Sequence, residues 1–332
     1  MHELEKLTTQ GIGMKALRSL PLLATSLVFL VLYAAASILY PGFFAAQVFI
    51  NLLGDNAFLG VSALGMTLVI LAGGIDLSVG AVVAFTTVFI ATGVGRGMHP
   101  VVAIGAAIAI ATLLGTIMGW LIQKFELPAF LVTLGGMFFA RGMAFVVNRE
   151  SVAIAHPFWQ KAADFAVPIG SSASVPATAL VFVLTLGAMI VIAHRTRFGR
   201  NIYAVGGSLG SARLMGLPVA ATQIAVYALS GACSGLAGVV STLYTSSGDP
   251  ARATGLELDA IASVVIGGTL LTGGVGSPAG TLMGVLIFGT LQSALVFDGR
   301  LNSWWLRIAM GGLLLIFVLL QRSLTRGSTL EK

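Results

Sequence analysis

Between residues 57 and 95 the chain carries one charged side chain, Asp76. It stands within Gly73-Gly74-Ile75-Asp76-Leu77-Ser78-Val79-Gly80. Apolar runs of this length seek a bilayer, where a charge is expensive unless it faces protein or a water-filled path. Glycine at such density argues that the helix breaks here. The backbone groups freed by a break must be covered by protein or line a cavity.

The composition agrees. Of 332 residues, 57% are hydrophobic and 9% charged, with a mean hydropathy of +0.99; soluble domains average about 25% charged residues. The chain reads as an integral membrane protein. A net charge of +6 would suggest nucleic acid in a soluble protein. Here the basic residues sort into particular loops, as membrane topology requires, so no nucleic-acid partner is read. The 42 glycines suit helices that approach one another closely. The single Cys233 excludes an intramolecular disulfide and supplies no metal cluster. The apolar run over 20–40 is too long for a signal-peptide core, so no cleavable leader is expected.

With roughly 20 apolar residues per span, the chain predicts about ten transmembrane helices, an all-α fold with some helices discontinuous at glycine-rich breaks. They fall near 20–40, 47–72, 78–95, 100–123, 128–147, 176–193, 219–243, 257–272, 276–296 and 303–321. The eighth is short, and it shares a charge-free run with the ninth, which must fold back at Gly273-Gly274-Val275-Gly276-Ser277-Pro278. This gives a cytoplasmic segment 1–19, a single transmembrane domain 20–321 and a cytoplasmic tail 322–332.

Both termini are expected in the cytoplasm. Lys6, Lys15, Arg18, Lys124, Arg195, Arg197, Arg200, Arg213, Arg322, Arg326 and Lys332 then lie inside with few acids among them. Two loops are longer than connection requires. The outer one, 148–175, reads as an exposed cap with a short interfacial helix anchored by Trp159. In the inner one, 194–218, Ser208 can cap a short helix whose apolar face is Ala212, Leu214 and Met215. Such a unit suits docking to a soluble motor.

Gly73-Gly74 and Gly80 have an echo in Gly273-Gly274 and Gly280. Paired glycine-interrupted segments are the best sequence pointer to a substrate site in transporters. No catalytic set accompanies them. The four histidines stand near ends or in loops, and HExxH, CxxC and Walker motifs are missing from the sequence. Asp76 and Arg141 are the ionisable candidates at depth and could pair with each other. Asp76 could equally cap the restarting helix, line a path, or do both. Asn56, Thr67, Thr133, Ser263, Thr269 and Gln292 are further polar groups at depth, although Ser and Thr in such helices commonly bond back to their own turn. Trp304-Trp305 reads as an interfacial anchor, and Cys233 as part of a small-residue packing face.

At these motifs the chain resembles the permease subunits of bacterial ABC importers for monosaccharides, the ribose-type branch. The resemblance rests on residues 65–70, 73–80 and 128–135, on 199–216 with its Ala-Val-Gly-Gly and Ala-Arg-Leu-Met-Gly elements, and on 257–262 running on to 280. Within the branch the chain is most similar to one of the paired permeases of galactofuranose importers, at 55–60, 137–142 and 303–305. It departs from the family after Gly206-Gly207, where Ser208-Leu209-Gly210 replaces the usual Asn and Glu or Pro.

The resemblance implies an assembly in the bacterial inner membrane. A second permease, a paralogue in the galactofuranose case, completes the path. Cytoplasmic ATP-binding subunits drive it, and a periplasmic sugar-binding protein delivers the substrate. ATP and magnesium would belong to the ATPase subunits, with no cofactor and no enzymatic site in this chain. Arg200, Gly206, Gly207, Ala212, Arg213, Leu214 and Gly216 would form the coupling element. Asn56, Asp76, Ser78, Thr133, Arg141, Glu257, Asp259 and Thr269 are the substrate-path candidates. Two alternatives remain beside this reading. A branched-chain amino acid permease would differ in substrate only. An ion-coupled secondary transporter would use Asp76 as its ion site.

Overall fold

The computed structural model describes residues 22–170, 173–300 and 304–329, with side chains as far as residue 319. Apolar runs of bilayer length become helices because lipid offers no partner to a free N–H or C=O. Among the described residues, six helices are long and apolar enough to cross a membrane alone: α1 (Leu22–Leu39), α5 (Pro100–Lys124), α6 (Ala129–Val147), α8 (Ala177–Arg195), α11 (Val219–Thr245) and α13 (Pro278–Asp298). A seventh span is a bent pair, α2 (Ala46–Asp55) and α3 (Ala57–Leu71), with 57° between them. Shorter apolar helices are α4 (Val79–Gly95) and the first part of α14 (Trp304–Thr329). Each of the ten expected segments thus contains a helix. The eighth is a correction in length: α12 (Leu256–Ile266) has 11 residues and stops halfway, leaving non-helical chain up to Ser277. The amino-terminal segment 1–19 lies outside the described residues. The expected tail begins as helix, since α14 runs on to Thr329.

α11 is the centre of the bundle, packed against α5, α3 and α4. α3 and α4 are buried around their whole circumference, so their sequences show no polar face. Small residues set the distance between α5 and α11. A Cβ on Gly115 would strike the Tyr227 carbonyl, and one on Gly231 would strike the carbonyl of Ala111. Cys233 belongs to the same system of close contacts, facing Gly65 of α3.

Both interrupted helices end in the same way. Gly74 N–H donates to Val69 O and Gly73 N–H to Ile70 O, each at 2.9 Å, with Gly73 at φ +84°. At the end of α12, Thr269 N–H donates to Val264 O and Gly268 N–H to Val265 O, with Gly268 at φ +89°. This is the Schellman closure, which needs a left-handed residue just past the helix and so favours glycine there. The echo is therefore real but shifted: Gly268, and not Gly273, is the counterpart of Gly73.

In the segment expected as the cap, β1 (Val152–Ala153) pairs with β4 (Ser247–Gly248), β2 (Ala166–Ile169) pairs with β3 (Ala173–Pro176), and α7 (Pro157–Ala163) lies between β1 and β2. Trp159 on α7 is no interfacial anchor. Its side chain is fully buried and its indole N–H donates to Thr242 O at 3.1 Å, fixing the cap to the end of α11. Trp304 and Trp305 are exposed at the start of α14, as interfacial residues should be.

Candidate functional site

The interruption after α3 is held by Asp76. Its Oδ1 accepts from Ser78 N–H at 2.9 Å and from the Ser78 hydroxyl at 2.6 Å, and its Oδ2 accepts from the Ser230 hydroxyl at 2.7 Å. The carboxylate is buried, so it orders the turn before α4 and ties that turn to α11. Ser230 lies eleven residues along α11, about 16 Å from the helix start at 1.5 Å per residue. Thr133 of α6 adds a 3.3 Å bond to Ile75 O, and the Tyr227 hydroxyl rests against Gly74.

Arg141 does not pair with Asp76. Its Nη1 donates to the carbonyls of Pro250 and Arg252, each at 2.7 Å. Those carbonyls belong to the link 249–255, termed here the outer link, which runs from the ends of α11 and β4 along α4. Asp249 N–H bonds Thr87 Oγ1 at 3.2 Å, and at Gly80 a Cβ would meet Ala253 O and Glu257 Oε2. Ala253 holds a left-handed φ of +58° within this link. Glu257 Oε2 and Arg252 Nε are enclosed without a hydrogen-bond partner. Asp259, one turn along α12, lines a cleft of about 240 Å³ with Phe288, Trp304, Arg307 and Met310.

The path candidates therefore fall into separate places. Asp76, Ser78 and Thr133 share the first break, and Arg141 and Glu257 share the outer link, with Gly80 joining the two. Asn56 is at the α2–α3 bend, its amide donating to Leu52 O at 3.0 Å and covered by Gly289. Thr269 is buried in the second break beside Gly276. Among the other polar groups, Thr67 bonds Thr281 across α3 and α13 at 2.7 Å, Ser263 bonds back to Asp259 O, and Gln292 is exposed.

The inner loop folds into α9 (Arg197–Gly207) and α10 (Leu209–Leu214). Ser208 caps α10 as expected, accepting from Ser211 N–H at 3.2 Å. The helix closes at Gly216, where Gly216 N–H donates to Arg213 O and Leu217 N–H to Ala212 O. Ala212 is buried. The apolar face expected from the sequence is otherwise turned outward: Leu214 is 91% exposed and Met215 65%. Arg213 pairs with Glu126 in the α5–α6 turn at 3.3 Å, and Arg200 lies on the exposed side of α9.

α9 ends against both breaks. A Cβ on Gly206 would overlap the carbonyl of Leu71 and the amide of Gly274, and one on Gly274 would come within 2.8 Å of Gly207 N. A Cβ on Gly273 would be 2.9 Å from Gly73 N. Gly274 N–H donates to Leu71 O at 2.9 Å, joining the breaks directly. Tyr203, which the sequence reading passed over, donates its hydroxyl to Gly276 O at 2.9 Å. Burial raises the Tyr203 pKa, so the phenol keeps its proton through the physiological range. Its only sequence signal was an aromatic one turn before Gly-Gly on an amphipathic helix.

A bundle of broken helices with a docking-sized inner helix pair defines a multi-span membrane transport component. Residues 48–319 match the family described as "Branched-chain amino acid transport system / permease component". The chain is 48% identical over 311 residues to the inner membrane ABC transporter permease protein YjfF of Escherichia coli K12, covering 93% of each. It is 39% identical to the ribose import permease protein RbsC of the same strain (87% of this chain, 90% of that one). It is 35% identical to the fructose import permease protein FruG of Bifidobacterium longum (92% and 91%). The chain belongs to this family of ABC-importer permeases. No solved structure matches it.

Proposed function

We propose that the chain is the permease of an ABC importer that moves a monosaccharide inward across the bacterial inner membrane, with galactofuranose the first sugar to try. Relatives named for ribose and fructose import favour a sugar over a branched-chain amino acid. Energy would come from cytoplasmic ATP-binding subunits, which carry the ATP and magnesium. A second permease, in this reading a paralogue, would complete the path, and a periplasmic binding protein would supply the substrate. Both termini would lie in the cytoplasm.

The observation that carries this reading is the inner helix pair. Leu214 and Met215 project from a tip outside the bundle, while the other end of the pair abuts the two breaks. An exposed apolar tip on a loop of this kind suits insertion into a groove of a soluble subunit. Sugar hydroxyls would meet the polar groups beside the outer link, where Arg141, Arg252 and Glu257 bring charge to membrane depth. An ion-coupled transporter has less support, because both Asp76 oxygens are already engaged by serines.

The test is reconstitution with candidate ATP-binding subunits, a second permease and a sugar-binding protein. ATP-dependent uptake of galactofuranose or another monosaccharide is expected. Uptake of leucine in place of sugars, or uptake driven by an ion gradient without ATP, would overturn the reading. Arg213→Glu should abolish sugar-stimulated hydrolysis with normal membrane insertion. The exchange Glu126→Arg with Arg213→Glu restores the surface pair, worth about 0–1 kcal/mol, and should still leave hydrolysis unstimulated if Arg213 serves the docking face.

A further inference from the structure

Three Gly-Gly pairs from distant parts of the chain meet at one point: Gly73-Gly74 after α3, Gly206-Gly207 at the end of α9, and Gly273-Gly274 after α12. The meeting is backbone against backbone. The Leu71 carbonyl is shared, accepting from Gly274 N–H while Gly206 Cα packs upon it. One side chain reaches across the same junction. Tyr203, one turn before Gly206 on α9, donates to Gly276 O at 2.9 Å, between the second break and α13. The His194 ring at the end of α8 stands 6.2 Å from the Tyr203 ring and flanks it.

We infer that Tyr203 and Gly206 form a transmission joint through which displacement of the inner helix pair moves both broken helices at once. Tyr203 is a positioning residue that pulls on the α13 side through Gly276. Gly206 pushes on the α3 side through Leu71. Backbone contact of this closeness transmits displacement because no flexible side chain lies between the segments to absorb it. The direct Leu71–Gly274 bond makes the two breaks move as one. A coupling element needs this property: a shift on the cytoplasmic side becomes a change in the helices that interrupt the membrane path, with no second relay.

The inference rests on the permease reading, and one experiment separates their failures. Tyr203→Phe keeps the ring and deletes the hydroxyl. In the reconstituted importer, sugar moved per ATP hydrolysed is expected to fall roughly fivefold, the population shift that one hydrogen bond commands. Retention of the ATP-binding subunits and the melting temperature should stay close to wild type. An unchanged ratio of sugar to ATP would overturn the joint, and so would loss of the ATP-binding subunits or of thermal stability in parallel with transport, which would make Tyr203 a folding residue. A wild-type assembly that moves no sugar would sink the permease reading, and the joint with it.

Discussion

Ser230, midway along α11, gives its hydroxyl to Asp76 Oδ2 at 2.7 Å, so the charge in the first break is anchored to the helix on which α3, α4 and α5 all pack. Together with the two bonds from Ser78, this leaves the carboxylate enclosed by protein. Asp76→Ala strands buried donors, at a cost of about 1–3 kcal/mol. Asp76→Asn keeps an acceptor for Ser78 and should be milder. Uptake and melting temperature are expected to fall together in both variants. Loss of uptake at an unchanged melting temperature would instead give Asp76 a direct part in the path.

Gly206 and Gly207 are neighbours on one helix, and neither has a positive φ. Their surroundings differ: a Cβ on Gly206 would overlap Leu71 O and Gly274 N, whereas one on Gly207 would point into open space. Gly206→Ala is therefore expected to lower the melting temperature markedly, by an overpacking cost of about 1–3 kcal/mol or more. Gly207→Ala gains helix propensity, worth about 0.5–1 kcal/mol, and should lower it far less. Equal shifts in thermal denaturation would contradict the close packing at this junction.

Arg141 holds the outer link by two charge-assisted bonds to carbonyls. Hydrogen bonds from a charged donor are worth about 1.5–3 kcal/mol. Arg141→Met keeps an unbranched side chain and removes both bonds. Amide hydrogen exchange over 249–256 should then accelerate by about tenfold or more, while exchange at α8 stays as it was. Uniform acceleration would mean that Arg141 supports the whole bundle and not the link.

Orientation can be read by labelling. In a Cys233→Ala background, Ala166→Cys on the outer hairpin should react with an impermeant maleimide in intact cells. Ser211→Cys on α10 should react only after permeabilisation. Both positions are exposed. The reverse pattern would invert the assignment of the positive-inside rule.

Much of the architecture was legible because it is written in local chemistry. The break at Gly73-Gly74 shows as glycine within an apolar run, Ser208 as a cap, and the shortness of the eighth span as too few apolar residues before Gly267. What stayed hidden depends on residues far apart. Arg141 looked like a partner for Asp76 because both are charges at depth, but its acceptors are backbone carbonyls, and every residue has one. Trp159 looked interfacial because nothing in its own loop reports that Thr242 O is beside it. The 57° bend at Asn56 carries neither proline nor a double glycine to announce it. The glycine echo was seen in the wrong frame: Gly273-Gly274 lies against the first break and does not repeat it.

The junction of glycines also bears on how steadily its three segments are held against one another. A constriction closed by side chains can flicker, since one rotamer change admits a water or a proton. At Gly73, Gly206 and Gly274 the chain has no side chain to rotate. Contact there is as steady as the peptide units themselves, and parting the segments requires a whole one to withdraw.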